Sequence, residues 1–162
     1  MQSVYVSHSL YLVNHSIDLN IMYALPMFLL GYACVWINYD TDRQRAEVRS
    51  TNGNCLIWGE KAKTITAHYV TEKGEKKTSL LLYSGWWGVS RHFHYVPEIL
   101  ASLFWSMPGG FNHIMPYFYV IFLTFLLADR AFRDDSRCAA KYGADWVSYC
   151  KKVPYKIIPF LV

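Results

Sequence analysis

The charged residues between positions 130 and 141 have the spacing of a single helical stripe. At about 100° per residue, four of them share one helix face: Arg130, Asp134, Arg137 and Lys141. Arginines bind phosphates through paired hydrogen bonds, and a carboxylate accepts hydrogen bonds from ribose or amide groups, so the stripe could form an anion site. A solvated, salt-bridged helix that leaves a bilayer has the same pattern. Spacing alone leaves both interpretations open.

Arg45 and Arg49 form a second basic pair, and they share a face if the apolar helix before them continues that far. Basic residues just beyond an apolar span commonly anchor its cytosolic end. The same two guanidinium groups could instead belong to the phosphate site suggested by the stripe. The pattern does not choose between anchoring and binding.

Residues 84–95 place two adjacent tryptophans between glycines, followed by an Arg-His-x-His sequence. Glycine beside an aromatic ring allows a flat ligand to approach the backbone, although tryptophan is also a common membrane-interface residue. His92 and His94 share a strand face but not a helix face, and no cysteine or carboxylate completes a ligand set. We therefore expect no metal at these histidines.

The elements that must position these residues have the composition of a membrane protein. The 162 residues are 53% hydrophobic and only 17% charged, against roughly 25% charged for a typical soluble domain. Most charges fall in two blocks, at 40–77 and 129–156, and charges are absent from 19–39 and 99–128. Uncharged spans with basic connections indicate contact with membrane lipid rather than with nucleic acid.

We predict an all-α fold, a multi-pass transmembrane helical bundle that forms one membrane domain over residues 1–162. Expected spans are at about 19–39, 96–108 and 113–130, the last two separated by turn residues. Turn signals and short alternation predict a small hairpin-like cytosolic insert at 50–78. In the cytosolic tail at 131–162, Gly143 is expected to cap one helix and Pro154 to end the next.

Several motifs together resemble one known family. The run at 130–149, RxxRDxxxCxxKYGxDWxxY, resembles the C-terminal signature of the integral-membrane sterol reductases, which include the Δ14- and Δ7-sterol reductases and the lamin B receptor. Two further stretches are similar, SGxWGxxRHxxY at 84–95 and PYFY at 116–119. The sequence GxCLIWGxK at 53–61 and the insert after it are most similar to the Δ7 branch.

The resemblance implies a multi-pass protein of the endoplasmic reticulum membrane that acts in sterol and cholesterol biosynthesis. Such an oxidoreductase uses NADPH to reduce a ring double bond of a sterol, as in the conversion of 7-dehydrocholesterol to cholesterol. By this resemblance Arg45 and Arg49 suit the adenosine 2′-phosphate, and Trp87 lines the cofactor pocket. The residues implied to bind the cofactor are Arg45, Arg49, Trp87, His94, Arg130, Asp134 and Tyr142.

The chain also departs from the family pattern. His94 stands where Asn is usual, and we expect its charge to vary near neutral pH. Pro97-Glu98 replaces Gly-Asp, Asp129 replaces a common His, and Arg45 replaces a Lys. An upstream stretch containing Asn-Pro-Arg is not in this sequence, so we expect sterol contacts and the proton donor to come largely from missing N-terminal spans. No catalytic residue is assigned here.

Two other functions remain open at this stage. An isoprenylcysteine-type membrane methyltransferase has a similar Arg-His-x-x-Tyr turn but binds S-adenosylmethionine, and it favours a Glu-Glu pair where this chain has Arg133, Asp134 and Asp135. A non-catalytic sterol-binding or tethering protein, or an inert fragment, would keep the fold without the reaction.

Overall fold

The computed structural model describes residues 7–15, 17–71 and 73–160, and it is mostly helical. We number its α-helices and strands in chain order. They are α1 (Ser7–Asn14), α2 (Ile21–Ser50), β1 (Leu56–Ile57), β2 (Glu60–Lys61), β3 (Thr64–Val70), β4 (Lys76–Leu82), α3 (Trp86–Val89), α4 (Tyr95–Ser106), α5 (Phe118–Tyr142) and α6 (Ala144–Lys152). The mostly helical part of the predicted fold class is confirmed, whereas the four strands depart from a purely α description.

Two helical stretches in the described part of the chain are long and apolar enough to cross a membrane, Ile21–Ser50 and Met115–Tyr142. In their most apolar windows only 6% and 22% of the residues are buried. A core helix of a soluble protein would be mostly buried, so this exposure favours a lipid environment. Pro26 lies inside α2, at a position where membrane helices tolerate proline.

The uncharged segment after position 99 is interrupted where its turn residues predict. Helix α4 has 12 residues, about 18 Å at ~1.5 Å per residue, which is shorter than a ~30 Å hydrocarbon core. Short 3₁₀ turns at Met107–Gly109 and Met115–Tyr117 separate it from α5. Helix α5 then continues without a break from apolar Phe118 to Tyr142, so the charged stripe extends the same helix.

The strands form two separate antiparallel hairpins. Leu56 pairs with Lys61 in the small β1–β2 hairpin, and Thr64 pairs with Leu82 at the base of the larger β3–β4 hairpin. The larger hairpin therefore extends to position 82, beyond the predicted end of the insert at 78. The last three residues of β4 are all leucine, Leu80 to Leu82, and they pack on both faces of the strand. A continuous apolar run of this kind lacks the alternation of polar and apolar residues by which a strand is recognised in a sequence.

The chain divides into two compact units. The first comprises Met1–Asn38 and Pro97–Ala128, and the second comprises Tyr39–Val96 and Asp129–Val162. The second unit contains both hairpins, two buried clusters centred on Trp87 and on Trp146, and most of the charged residues.

As predicted, α5 ends before Gly143, which has a positive φ of 54°, and α6 ends two residues before Pro154.

Candidate functional site

A hollow of about 320 Å³ lies within the second unit. This volume is near the lower end of the roughly 300–1,000 Å³ typical of small-molecule sites. Its wall combines side chains from α2, β4, residues 87–95, α5 and α6. The structure places all seven residues implied by the resemblance on this wall: Arg45, Arg49, Trp87, His94, Arg130, Asp134 and Tyr142. Their binding roles remain predictions.

On the α2 wall, two arginines face the hollow without a carboxylate. Arg45 and Arg49 form no ion pair with any residue in 7–15, 17–71 or 73–160. The Arg45 guanidinium instead lies over the ring of Trp87, 4.7 Å from its centroid. Two cations one helical turn apart repel each other, so this wall favours an anion that could lie between them.

Trp87 is fixed from behind and can therefore position Arg45. Its indole Nε1 donates a hydrogen bond of 2.9 Å to the carbonyl of Thr41, and its ring is only 4% exposed, packed in a cluster that includes Val48 and Leu82. Gly85, two residues earlier, has a positive φ of 63°, and a Cβ there would collide with the side chain of Gln44. The glycine before the tryptophan pair thus allows this segment to lie directly on α2.

A carboxylate on α2 fixes the same segment through a network that sequence reasoning missed. Asp40 accepts hydrogen bonds from the side chains of Arg43, Gln44 and Trp86. Gln44 also accepts a bond from the backbone N–H of Trp86 at 3.2 Å. Nothing in the spacing of Asp40 and Trp86, 46 positions apart, could have revealed this contact.

On the α5 wall two arginines share one carboxylate. Asp134 lies 3.7 Å from Nε of Arg130 and 3.8 Å from a terminal nitrogen of Arg137. Arg137 also lines the hollow, although the resemblance did not assign it. Lys141, the last member of the predicted stripe, instead places its ammonium 3.9 Å from the ring centroid of Tyr69. The stripe is therefore divided, with three members on the wall and one against the hairpin.

Tyr142 is positioned by the large hairpin and by α6. Its ring meets that of Tyr69 edge-on at 5.6 Å and lies 6.4 Å from that of Trp146. The hairpin is joined to α6 where Asp145 accepts a 2.9 Å bond from the backbone N–H of His68. Residues 79–82 of β4 complete this side of the wall. The larger hairpin, which continues beyond the predicted end of the insert at 78, is therefore part of the site through the last residues of β4.

His94 and His92 line the hollow as neutral side chains. Burial, together with the nearby Arg45 cation, lowers the pKa of His94 to about 3, and burial lowers that of His92 to about 4. The expectation that the charge of His94 varies near neutral pH is therefore wrong. Nδ1 of His94 and Nε2 of His92 are buried without a hydrogen-bond partner among the residues described.

Arg91 is another residue whose role the sequence did not reveal. Its side chain is buried, donates to the carbonyls of Val153 and Pro154, and lies 3.3 Å from Asp135. The backbone N–H groups of residues 91 and 92 also donate to carbonyls of the C-terminal segment. Arg91 thus fastens that segment behind the hollow, and its charge is already satisfied.

These features fit a phosphorylated ligand. Two guanidinium groups without carboxylates could bind phosphate oxygens, and two buried imidazole nitrogens without partners could bond polar groups of the ligand. In the part of the chain that the structure describes, no group of three or more His, Cys, Asp or Glu side chains could hold a metal ion. The chemistry offered by the wall is binding and orientation.

Comparison with known proteins gives a consistent family. A model of the ergosterol biosynthesis ERG4/ERG24 family matches residues 2–162. The chain is 58% identical to a 7-dehydrocholesterol reductase of Arabidopsis thaliana over 97% of its own length. It is 42% identical to the 7-dehydrocholesterol reductase of Xenopus laevis over 98%, and 38% identical to a Delta(14)-sterol reductase of Methylotuvimicrobium alcaliphilum over 96%. These matches confirm the resemblance inferred from the motifs.

The matches cover only part of each relative. They extend over 36%, 33% and 34% of the three proteins, in the same order. The chain therefore spans about a third of the length of the curated relatives it matches.

Proposed function

The chain belongs to the ergosterol biosynthesis ERG4/ERG24 family, and from this premise we propose that it forms the NADPH-binding part of a sterol reductase. The proposed reaction is reduction of the Δ7 double bond of a sterol such as 7-dehydrocholesterol, within the endoplasmic reticulum membrane. The names of the two most similar relatives described above support this choice of bond. The observation that carries the proposal is the pair of carboxylate-free arginines in the hollow.

In this proposal the α2 wall takes the phosphate that distinguishes NADPH from NADH. Arg45, which lies over the ring of Trp87, and Arg49 would bind the adenosine 2′-phosphate. The α5 wall, with Arg130, Asp134 and Tyr142, would bind the pyrophosphate, ribose or nicotinamide. A single net positive charge on that wall suits a group that is polar as well as anionic.

His94 would contribute one hydrogen bond from a neutral imidazole, as the usual Asn would from its amide. NADPH, when bound, supplies a hydride, and the residues of this chain bind and orient it. The proton donor and the sterol contacts are not assigned to any residue here. Because the chain spans about a third of its relatives, we propose that the remaining sequence of such proteins supplies them.

The methyltransferase alternative is less well supported. S-adenosylmethionine carries a sulfonium cation and no phosphate, so its single amino-acid carboxylate would match the unneutralised pair Arg45 and Arg49 less well than a phosphate dianion. The relatives named above are all reductases. A non-catalytic binding protein would keep the same hollow, and an activity measurement distinguishes it from a reductase.

The proposal is tested by comparing 2′,5′-ADP (adenosine 2′,5′-bisphosphate) with 5′-AMP, which differ only in the phosphate assigned to the α2 wall. Calorimetry on the detergent-purified chain should show tighter binding of 2′,5′-ADP. Arg45→Ala with Arg49→Ala should remove this preference and weaken 2′,5′-ADP binding by roughly 10- to 100-fold, because a hydrogen bond to a charged group contributes about 1.5–3 kcal/mol.

Arg133→Ala is the matched control, because Arg133 lies on α5 but pairs with Asp129 at 2.8 Å, away from the hollow. It should leave both affinities unchanged. Equal affinity of the unmodified chain for the two nucleotides would contradict the assignment of the α2 wall. Nucleotide binding without reduction of 7-dehydrocholesterol, in membranes that contain this chain within its complete protein, would favour the non-catalytic alternative.

A further inference from the structure

The β1–β2 hairpin has an unusual residue at its turn. Ile57 pairs with Glu60, so Trp58 and Gly59 form a two-residue loop, with φ values of 51° and 84°. Both left-handed positions of such a turn favour Asn, Asp or Gly, because Cβ crowds the backbone carbonyl there, a strain that Gly avoids and that the short polar side chains of Asn and Asp offset by local hydrogen bonds. The tryptophan at the first position adopts this conformation against its backbone preference, an outlier of the kind that accompanies a functional constraint.

An aromatic stack holds the Trp58 ring in place. Its edge meets the ring of Trp86 at 5.0 Å, and Trp86 stacks on Phe93 at 4.8 Å with an angle of 10°. Yet 62% of Trp58 is exposed, as is 67% of Leu56, which lies two positions earlier on the same hairpin. The hairpin thus presents a rigid apolar tip that no described residue covers.

The tip lies at the level where α2 leaves its apolar segment. Residues 19–39 carry no charge, and Asp40 is the first charged residue after them. Nε1 of Trp86 donates a 2.9 Å bond to Asp40, which places the aromatic stack beside this boundary. Tyr39, next to Asp40, is 68% exposed, as expected of an aromatic residue at a membrane interface.

The flanking charges suit phospholipid headgroups. Lys61, at the end of β2, is exposed and has no carboxylate partner in the described part of the chain, while Lys63 pairs with Glu60 at 3.0 Å. A protein partner would need about 800 Å² on each side for a stable interface, whereas one tryptophan buries about 150–250 Å². The tip is therefore too small for a protein interface of ordinary size and well suited to lipid.

We infer that the β1–β2 hairpin inserts Trp58 and Leu56 into the headgroup region of the bilayer, with Lys61 contacting lipid phosphates. The hairpin would then fix the height of the hollow above the membrane, because Trp86 is adjacent to Trp87 and so links the stack to the α2 wall. This inference does not depend on which nucleotide the hollow binds.

The test uses ¹⁹F NMR of the chain labelled with 5-fluorotryptophan in nanodiscs of phosphatidylcholine and phosphatidylserine. Trp58→Phe assigns the Trp58 resonance by its disappearance. A phospholipid that bears a nitroxide on its headgroup should broaden this resonance strongly, and a soluble gadolinium chelate should broaden it little.

Val70→Trp provides the matched control, because Val70 is also exposed but lies at the tip of the other hairpin. The resonance that it adds should be broadened by the chelate and not by the lipid. The inference is overturned if the chelate broadens the Trp58 resonance as much as this control resonance, because the Trp58 ring would then be surrounded by water. It is equally overturned if neither agent acts on Trp58, which would mean that protein covers it.

Discussion

The two helical walls of the hollow carry the same type of side chain in opposite states of pairing. On α2, Arg45 and Arg49 have no carboxylate among the described residues, and an indole ring holds Arg45. On α5, Asp134 lies between Arg130 and Arg137, within 4 Å of both. The α2 wall therefore has two net positive charges and the α5 wall has one.

In the proposed function, this difference would allow one site to recognise two chemically distinct ends of a ligand. A cation pair without a counter-ion gains most from a dianionic phosphate, because binding also relieves the repulsion between the cations. Arginines that already share a carboxylate gain less from an anion, but they offer donors and acceptors together. Whether the arginines of a wall have a carboxylate partner, rather than how many arginines it has, would decide which part of the ligand lies on that wall.

The largest effect, on stability, is expected from removing the indole ring of Trp87, over which Arg45 lies. Trp87→Ala should lower the free energy of unfolding by about 3–5 kcal/mol, because it opens a cavity in a packed cluster. Trp87→Phe keeps a ring under Arg45 but loses the bond to Thr41, so it should cost about 1 kcal/mol. Chemical unfolding in detergent measures both.

The binding affinity of the Trp87→Phe variant then tests the position of Arg45. Calorimetry should show 2′,5′-ADP binding within a few fold of the unmodified chain, since a cation–π contact contributes about 0.5–2 kcal/mol and the ring is retained. A complete loss of binding in a folded Trp87→Phe variant would show that the ring itself is not what positions Arg45.

A smaller effect is expected from making the α5 wall resemble the α2 wall. Asp134→Asn leaves Arg130 and Arg137 without a counter-ion, so the affinity for inorganic pyrophosphate should rise about tenfold, equivalent to about 1.4 kcal/mol. Asp129→Asn is the control, because Asp129 pairs with Arg133 outside the hollow. If Asp134→Asn instead weakened pyrophosphate binding, the carboxylate would be needed to orient the two arginines.

The smallest effect is expected on the pH dependence of stability, to which the two histidines contribute. Measuring it tests whether all the positive charge of the hollow comes from arginine. The pKa values of His94 and His92, about 3 and about 4 when folded, lie below the ~6.5 of an unfolded His. The unfolded chain therefore binds more protons below pH 6.5, so their stabilising contribution is complete above pH 6.5 and is lost as the pH falls toward 4.

His94→Gln should make this loss shallower, because it removes one of the two titrating groups while keeping an amide that can form a hydrogen bond. Thermal unfolding in detergent between pH 8 and 4.5 measures the difference. Above pH 7 the two proteins should show the same pH dependence. A pH dependence of His94→Gln identical to that of the unmodified chain throughout would show that His94 is not the buried neutral group described here.

Local pattern predicted much of the helical framework. Gly143 ends α5 and Pro154 follows α6, because a positive φ and a missing N–H are properties of single residues that neighbours rarely change. The extent of the large hairpin was harder to predict. Its second strand ends in three leucines that are packed on both faces, and periodicity cannot distinguish such a strand from other apolar segments.

Contacts between distant side chains were beyond prediction. Lys141 shares the helical face of Arg130, yet Tyr69 of the hairpin attracts it away from the hollow. The sequence assigned no role to Arg91, whose guanidinium donates to the carbonyls of Val153 and Pro154. In both cases the partner lies more than sixty positions away along the chain.

The sequence by itself determined the family and the apolar helices, since residue type and short-range spacing carry that information, and through the family resemblance it indicated seven of the residues that line the hollow. Only the tertiary structure decided which arginines have a carboxylate partner, that His94 is neutral, and that a hairpin forms part of the wall. Charge state and pairing depend on which groups lie within a few ångströms and on how much water is excluded. Both are properties of the folded chain.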